Sequence, residues 1–166
     1  MAVPSNDRPY MPGYGIKGPS EGTGLLPWAW ATERLASARN YWLSTTTPAG
    51  APHAMPVWAV WLDDRLWFSS SLGSRKIRNL TADPRCTLTT ENADDPVIVE
   101  GTGEIITALE PRVRFLTASN AKYQMTLEID FLDPEVNATV AVRPLRAFGM
   151  VHGDFTGSPT RWSFPR

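Results

Sequence analysis

The sequence predicts a mainly β protein with a few helices, folded as a small barrel. Short segments rich in β-branched and aromatic residues follow one another after residue 41, and turn signals rich in Pro, Gly and Asp separate them. Helical spacing occurs in only a few stretches. A length of 166 residues fits a single domain, so a two-domain dinucleotide enzyme is not expected.

The first residues form an arm without a hydrophobic period. Residues 1–24 contain four Pro and five Gly, nine of 24 positions, which predicts an irregular arm ahead of one domain at residues 25–166. The arm contains a literal G-x-G-x-x-G at Gly13, Gly15 and Gly18. No strand precedes it and no helix follows it, so it is not a dinucleotide-binding motif.

The elements of the domain follow from period, turns and capping signals. Helical spacing predicts a first helix over residues 27–39, a short helix capped by Ser74, and a third from Pro111 with Val113, Leu116 and Ala121 on its buried face. Residues 125–138 fit no period. The predicted strands are residues 41–47, 53–62 and 65–70, which form a three-strand meander, then 86–91, 97–107, 141–151 and 161–164.

Composition excludes several classes of function. Sixteen Lys and Arg against 17 Asp and Glu give a net charge of −1, which disfavours binding to nucleic acid or to a membrane surface. One cysteine, Cys86, and two histidines, His53 and His152, are too few for most metal sites, so no metal is expected. The start has no basic and apolar leader pattern, and no long apolar run occurs, so the expected location is the cytoplasm.

The short helix after the third strand carries the most specific chemical signal. Ser74, Arg75, Lys76 and Arg78 place three cations and a hydroxyl around its first turn. The free N–H groups and positive dipole end of a helix favour a phosphate, and Lys76 adds a point charge. The alternative is a solvated basic helix face.

Several segments resemble one known superfamily. They are residues 43–53, the run Met55-Pro56-Val57-Trp58, and residues 74–80 leading into Asp83-Pro84-Arg85-Cys86. This pattern resembles the pyridoxamine-phosphate-oxidase-like flavin and deazaflavin oxidoreductases, and the end at residues 160–164 resembles their coenzyme F420-dependent branch in actinobacteria. The resemblance covers about two thirds of the chain and implies an FMN-binding-type split β-barrel.

The resemblance implies a set of cofactor-binding residues. Lys76 would contact the cofactor phosphate, and Ser74, Arg78 and Asn79 would shape that pocket. Ser74 stands where many relatives have Arg, which keeps a hydroxyl but lowers the charge. Arg75, with Arg78 and Arg85, could track the polyglutamate tail of a deazaflavin.

The second strand would lie along the cofactor ring. Pro56 lacks the N–H of a central strand, so the ladder should end or bulge there and leave backbone groups free for a ligand. The positions assigned to ring contact are His53, Met55, Pro56, Val57 and Trp58. Core packing is the alternative for Met55 and Trp58, and a solvent-facing position is the alternative for His53.

The tryptophan content suggests a pocket or an interface. Seven tryptophans are more than one small barrel core usually needs. The resemblance places the terminal segment near the cofactor of one or the other protomer, so Trp162 is the candidate for the cofactor pocket, with an edge-strand anchor as its alternative. The resemblance implies a homodimer whose cofactor pockets lie at the subunit interface.

The resulting hypothesis is a coenzyme F420-dependent reductase that transfers hydride to a small unsaturated or aromatic substrate. An FMN-dependent oxidoreductase of the same fold and a non-catalytic flavin- or deazaflavin-binding protein are the alternatives. A true pyridoxamine-phosphate oxidase is disfavoured because its additional substrate-phosphate motif is not found near the C-terminus. Tyr41, Tyr123 and His53 are options for a proton donor, and the sequence assigns no catalytic residue.

Overall fold

The computed structural model describes residues 3–165. Its three α-helices are α1 (Trp28–Ser37), α2 (Arg75–Ala82) and α3 (Leu109–Tyr123), and 3-10 turns occur at Ile129–Leu132 and His152–Asp154. The strands are β1 (Ser5–Asp7), β2 (Tyr41–Thr46), β3 (Pro52–Val57), β4 (Val60–Leu62), β5 (Arg65–Ser71), β6 (Arg85–Thr90), β7 (Val97–Ile106), β8 (Asn137–Gly149) and β9 (Thr160–Ser163).

The strands form an antiparallel barrel that stays open along one seam. The path runs from β3 through β2, β6 and β7 to β8. The first half of β8 pairs with β5, and its last residues pair with β9. Within the described residues no pairing joins β3 to β5, so the predicted barrel is confirmed as a split β-barrel.

The inner face of the barrel forms the main core. Alternation along β2 buries Tyr41, Leu43 and Thr45 and turns the residues between them outward. Leu43 faces Leu88 of β6, and both side chains are fully buried. Leu35 of α1 belongs to the same cluster, so α1 covers one part of the barrel interior.

A second core lies between α3 and strands β4, β5 and β8. Phe115, Leu116 and Tyr123 of α3 cluster with Trp67 of β5 and Ala141 of β8. Because helix and barrel each bury one face of β8, five consecutive β8 residues, 138–142, are all buried.

The predicted buried face of the third helix is wrong at two positions. Val113 is 42% exposed and Ala121 is exposed, whereas Leu116 is buried. The buried face instead includes Arg112, whose guanidinium donates hydrogen bonds to the carbonyls of Thr107 and Leu132. A polar residue therefore faces inward because it has backbone partners, which an apolar period does not detect.

The predicted three-strand meander is also wrong. The chain leaves the strand after Val57, and residues 58–59 separate β3 from β4. Asp63 and Asp64, with φ of 51° and 56°, form the turn into β5. Strand β5 then pairs with β4 and β8, so the expected meander consists of two hairpins on opposite sides of the seam.

The N-terminal arm is partly regular. Its segment β1 pairs with β9, which corrects the prediction of an entirely irregular arm. The side chain of Arg8 holds the rest of the arm in place through hydrogen bonds to backbone carbonyls. Its guanidinium donates to the carbonyls of Lys17, Gly18 and Glu21 in the arm, and to those of Gly157 and Pro159 ahead of β9. No helix within residues 3–165 is long and apolar enough to cross a membrane.

Candidate functional site

The open seam of the barrel forms a cleft of about 310 Å³, which we call the seam cleft. One side is the end of β3, which is the last strand on its side of the sheet. The other side is the part of β5 beyond its short pairing with β4, which ends at Trp67. Among the described residues both strands therefore have an edge without a strand partner, and backbone groups on these edges are available to a ligand. The cleft is lined by Pro56, Val57, Trp58, Ser69, Ser70, Lys76, Phe115, Leu116, Ser119, Tyr123, Met125, Leu127, Phe131 and Leu132.

Trp58 provides a flat wall where the chain leaves β3. Its ring lies parallel to the ring of Tyr123, with centroids 4.5 Å apart and an interplanar angle of 5°. The guanidinium carbon of Arg39 lies 5.5 Å from the Trp58 ring centroid. Trp58 remains 47% exposed, so part of this stacked and oriented aromatic surface is accessible to a ligand.

Lys76 is the charged side chain among the lining residues. It lies in the first turn of α2, is partly buried, and forms no ion pair with the carboxylates of residues 3–165. A partly buried lysine that lines a cleft and has no acidic partner among these residues is suited to an anion such as a phosphate. The cleft therefore contains the positively charged side chain, Lys76, that the sequence analysis expects beside a phosphate.

Serine hydroxyls accompany this charge. Ser74 occupies the predicted N-cap position in extended conformation, but its side chain makes no capping bond. It accepts a hydrogen bond from the Ser70 hydroxyl at 3.2 Å. Ser69 and Ser70 line the cleft and were missed by the sequence reasoning. The signal for them was the run of serines at 69–71 directly ahead of the basic helix.

The opposite wall comes from α3 and the segment that follows it. Its apolar side chains are Phe115, Leu116, Met125, Leu127, Phe131 and Leu132. The sequence left residues 125–138 unassigned, so most of this wall was not predicted. Met125 and Leu127 alternate with polar residues over too short a stretch to carry a period.

Apart from Trp162, the predicted site residues fall into three groups. Pro56, Val57, Trp58 and Lys76 meet in the seam cleft. The second group lies beside it: His53 and Met55 precede Pro56 on β3, and Ser74 reaches it through Ser70. In the third group Arg75 and Arg78 are on the exposed side of α2, and Asn79 is buried, where its amide donates to the Thr45 hydroxyl at 2.9 Å.

Trp162 is not in the cleft, which corrects its assignment to the cofactor pocket. Its side chain is fully buried on β9 within the main core. Trp28 packs against its ring at 5.4 Å and Trp30 at 6.3 Å between centroids. The indoles of α1 cover Trp162, so the structure supports its alternative, an anchor of the strand.

The proton-donor candidates do not present their protons to the cleft. The Tyr41 hydroxyl donates to the Leu35 carbonyl, and burial raises the pKa of this phenol well above its usual range. Burial also raises the pKa of Tyr123, whose hydroxyl lies 2.8 Å from the Arg39 carbonyl and 2.9 Å from both the N and the O of Ala59. Both phenols thus remain protonated and bound to backbone.

Two further ionisable side chains near the seam, those of His53 and Lys122, are in unusual environments. The Nδ1 atom of His53 is buried and has no hydrogen-bond partner among the described residues. Burial lowers the pKa of Lys122 to about 8, although its ammonium lies 2.8 Å from the Ala59 carbonyl and 3.0 Å from the Tyr41 hydroxyl. Neither side chain lines the cleft.

Several solved structures share this fold. A protein named F420 reductase is 23% identical, with a TM-score of 0.56 over 69% of this chain and 93% of that one. A conserved hypothetical protein of Mycobacterium tuberculosis, Rv2991, is 22% identical, with a TM-score of 0.67 over 85% and 90%. A FAD-binding protein of Mesorhizobium loti is 16% identical, with a TM-score of 0.58 over 84% and 96%.

The family comparison covers the same part of the chain that builds the seam. None of the curated proteins matches the chain. The family model described as pyridoxamine 5'-phosphate oxidase matches residues 30–148, from α1 to the end of β8. Its span includes β3, β5, α2 and α3, which together provide the walls of the cleft. The chain belongs to the pyridoxamine 5'-phosphate oxidase family.

Proposed function

We propose that the chain is a coenzyme F420-dependent reductase that transfers hydride to a small unsaturated or aromatic substrate. The observation that carries this proposal is the seam cleft. Among residues 3–165 it combines a partly buried lysine without an acidic partner, two strand edges without a strand partner and a flat aromatic wall. A cofactor with a phosphate, a polar ring edge and a planar ring needs these three features. Family membership and the similarity to a protein named F420 reductase support the choice.

Each part of the cleft has a role in holding this cofactor. Lys76 binds the phosphate, assisted by the hydroxyls of Ser69 and Ser70. Trp58 supports the ring, and Pro56 marks where the β3 edge ends. Free backbone groups along β3 and β5 are available for the polar edge of the ring.

The cations outside the cleft fit an anionic tail. Arg75 and Arg78 are exposed on α2 beside Lys76, and neither forms an ion pair within residues 3–165. Arg85 is less available, because its guanidinium binds the Asp83 carboxylate at 2.6 Å and these bonds hold the pKa of that carboxyl at about 2. The proposed track for a polyglutamate tail therefore consists of Arg75 and Arg78.

The protein contributes positioning rather than acid–base chemistry. When bound, the reduced deazaflavin would supply hydride. The one proton that completes the reduction would come from solvent, since the phenols of Tyr41 and Tyr123 are bound to backbone carbonyls. The chain holds donor and acceptor against fixed walls, which removes entropy and solvent reorganisation from the barrier.

We propose that the working form is a homodimer. The outward faces of the barrel strands border an open groove of about 1070 Å³ that combines Thr46 and Thr87 with the charged Arg85, Glu100 and Arg146. Trp42, 51% exposed, points to the same side of β2 as Thr46. Size-exclusion chromatography with light scattering tests this proposal, and a monomeric mass at micromolar concentration would contradict it.

FMN is the second candidate cofactor, and the similarity to a FAD-binding protein of the same fold favours keeping it. The test is a fluorescence titration of the purified protein with coenzyme F420 and, in parallel, with FMN. Saturable binding of F420 with weaker FMN binding supports the proposal. Preference for FMN would favour the flavin alternative, and binding without turnover of any enone or quinone would favour a carrier. Binding of neither would refute the redox function.

A further inference from the structure

The corner between β3 and β4 is held by two neighbouring side chains at the end of α3. Its residue Ala59 is buried and lies between the two strands. The Ala59 N–H donates to the Tyr123 hydroxyl at 2.9 Å, and the Ala59 carbonyl accepts from the Lys122 ammonium at 2.8 Å. Side chains thus satisfy both backbone groups of this buried corner residue.

The number of protons available at the corner makes Lys122 necessary. The Tyr123 hydroxyl lies 2.9 Å from the Ala59 carbonyl and 2.8 Å from the Arg39 carbonyl. A hydroxyl has one proton, so it can donate to only one of these two carbonyls. Because Lys122 donates to the Ala59 carbonyl, the Tyr123 proton is available to the Arg39 carbonyl. Without Lys122, one of the two carbonyls would lose its donor.

Tyr123 connects this corner to Trp58. Trp58 directly precedes Ala59, so the Ala59 N–H belongs to the peptide group that joins them. Tyr123 binds that peptide group through its hydroxyl and stacks its ring on the Trp58 indole at 4.5 Å. The Arg39 guanidinium carbon is nearly equidistant from the ring centroids of Trp58 and Tyr123, at 5.5 Å and 5.8 Å, so it lies beside the stack. The ring and the backbone of Trp58 therefore have the same support.

The phenols that face Lys122 stay protonated near neutral pH. The Lys122 nitrogen lies 4.9 Å from the ring centroid of Tyr41 and 5.4 Å from that of Tyr123. It also donates to the Tyr41 hydroxyl at 3.0 Å, and that hydroxyl donates its own proton to the Leu35 carbonyl. Burial raises the pKa of both phenols above the ordinary value, so both stay neutral between about pH 7 and 9.

The charged groups near Lys122 also keep their charge in this range. Glu91 acts on Lys122 through its negative charge, and a hydrogen bond from the Asn40 side chain holds the pKa of Glu91 below its ordinary value. The Arg39 guanidinium, beside the ring of Tyr123, does not titrate. Burial lowers the pKa of Lys122 itself to about 8. Of these groups, Lys122 is therefore the one whose charge changes near neutral pH.

We propose that Lys122 is a positioning residue that holds the Trp58 wall of the seam cleft from behind, and that its protonated form holds this wall more tightly than its neutral form. Its bearing on the reaction rests on the proposed function, which assigns the cofactor ring to Trp58. A neutral amine has two protons and can still donate to the Ala59 carbonyl and the Tyr41 hydroxyl. These bonds then lose charge assistance, which makes a hydrogen bond about twice as strong. The wall should therefore loosen as the pH rises, with or without a cofactor.

Acrylamide quenching of Trp58 fluorescence in the cofactor-free protein tests the wall directly. The difference between the wild type and Trp58→Phe isolates this indole among the seven tryptophans. We expect the quenching constant of Trp58 to rise about twofold between pH 7 and 9, as the bonds from Lys122 lose their charge assistance. The rise should follow a single titration with its midpoint near the Lys122 pKa of about 8. A constant value across this range would overturn the proposal.

Three variants assign the titration to Lys122. Lys122→Met should give high quenching at every pH, whereas Lys122→Arg keeps a charge that does not titrate and should give low quenching at every pH. Lys17→Met removes an exposed lysine of the arm and should titrate like the wild type. If Lys122→Met does not fold by circular dichroism, the loss of the titration in Lys122→Arg carries the test. A titration that persists in a folded Lys122 variant would contradict the assignment.

Cofactor titrations of the same proteins separate this proposal from the proposed function. At pH 7, Lys122→Met should weaken binding of coenzyme F420 by about two- to tenfold, because the ring loses a fixed wall, and Lys17→Met should not change it. If the wild type binds neither F420 nor FMN while Trp58 still titrates, the redox function is refuted and the positioning role stands. If Lys122→Met binds the cofactor as tightly as the wild type, the positioning role alone is refuted.

Discussion

Replacing Lys76 tests the phosphate site directly. In the free protein Lys76 is partly buried and has no carboxylate partner within residues 3–165, so Lys76→Ala leaves no buried acid unpaired. We expect the fold to tolerate the change. Cofactor binding should lose one charge-assisted hydrogen bond, about 1–3 kcal/mol, which corresponds to about a 5- to 150-fold rise in Kd.

The matched control is Arg143→Ala, which makes the same change in net charge. Arg143 is exposed on β8 and does not line the seam cleft. Titration of both variants and the wild type with coenzyme F420 at about 0.15 M salt limits non-specific attraction, because the Debye length is then about 8 Å. Unchanged affinity in a folded Lys76→Ala protein would refute the phosphate role. Equal weakening in both variants would reduce that role to net charge.

Three further predictions concern the supports of the cleft and the arm. Tyr123→Phe should lower the free energy of unfolding, measured in urea, by about 1–3 kcal/mol, because the Ala59 N–H loses its acceptor. It should also shift the fluorescence emission of Trp58, which stacks on Tyr123. Unchanged unfolding and emission would contradict the role of Tyr123 in supporting the cleft. Burial lowers the pKa of Lys122 in the folded protein to about 8 from 10.5, so the unfolded chain binds more protons between these two pH values. The free energy of unfolding should therefore rise as the pH rises across this range. The rise should be absent in Lys122→Met, and parallel plots of unfolding free energy against pH for the two proteins would refute the prediction. Arg8→Ala removes five hydrogen bonds to backbone carbonyls and should therefore speed cleavage of the arm by chymotrypsin at Tyr14. Equal cleavage rates in the variant and the wild type would show that other contacts hold the arm.

Local signals in the sequence predicted most individual elements well. The strand expected at 86–91 is found at Arg85–Thr90, and the one expected at 97–107 is found at Val97–Ile106. Helix α2 begins directly after Ser74, as its capping pattern predicts. Each of these elements has a turn or a Pro at its border, so its limits are set by neighbouring residues.

These local signals do not predict contacts between distant parts of the chain. The pairing of β5 with β8 depends on which strand edge is free once the barrel has formed, and a strand pattern does not specify its partner. Trp162 is buried because two indoles of α1 cover it, which composition does not reveal. The segment after α3 has no period because side chains of Asn120 and Arg112 hold its backbone.

The candidate site could be predicted only in part, because local signals identify residue types and do not identify contacts between distant segments. Lys76 was assigned from the basic start of its helix together with the family resemblance, and the run from Pro56 to Trp58 from that resemblance and from the missing N–H of Pro56. Ser119 and Leu127 look ordinary in sequence and become part of the cleft only through the position of α3. Sequence thus indicated the groups that would contact a phosphate and a ring, and the fold was needed to find the apolar wall.

The two prolines of β3 explain how a free strand edge can remain available to a small molecule. An exposed edge is a template for pairing with another strand, and Pro reduces this risk because it lacks an N–H to donate. Pro52 opens β3 and Pro56 lies one residue before its end, so neither position can donate an N–H to an added strand, although both keep a carbonyl that can accept. A short ligand needs only a few backbone groups, whereas an added strand needs a continuous ladder. Because of this difference, the seam disfavours an added strand and still leaves backbone groups available to the proposed cofactor.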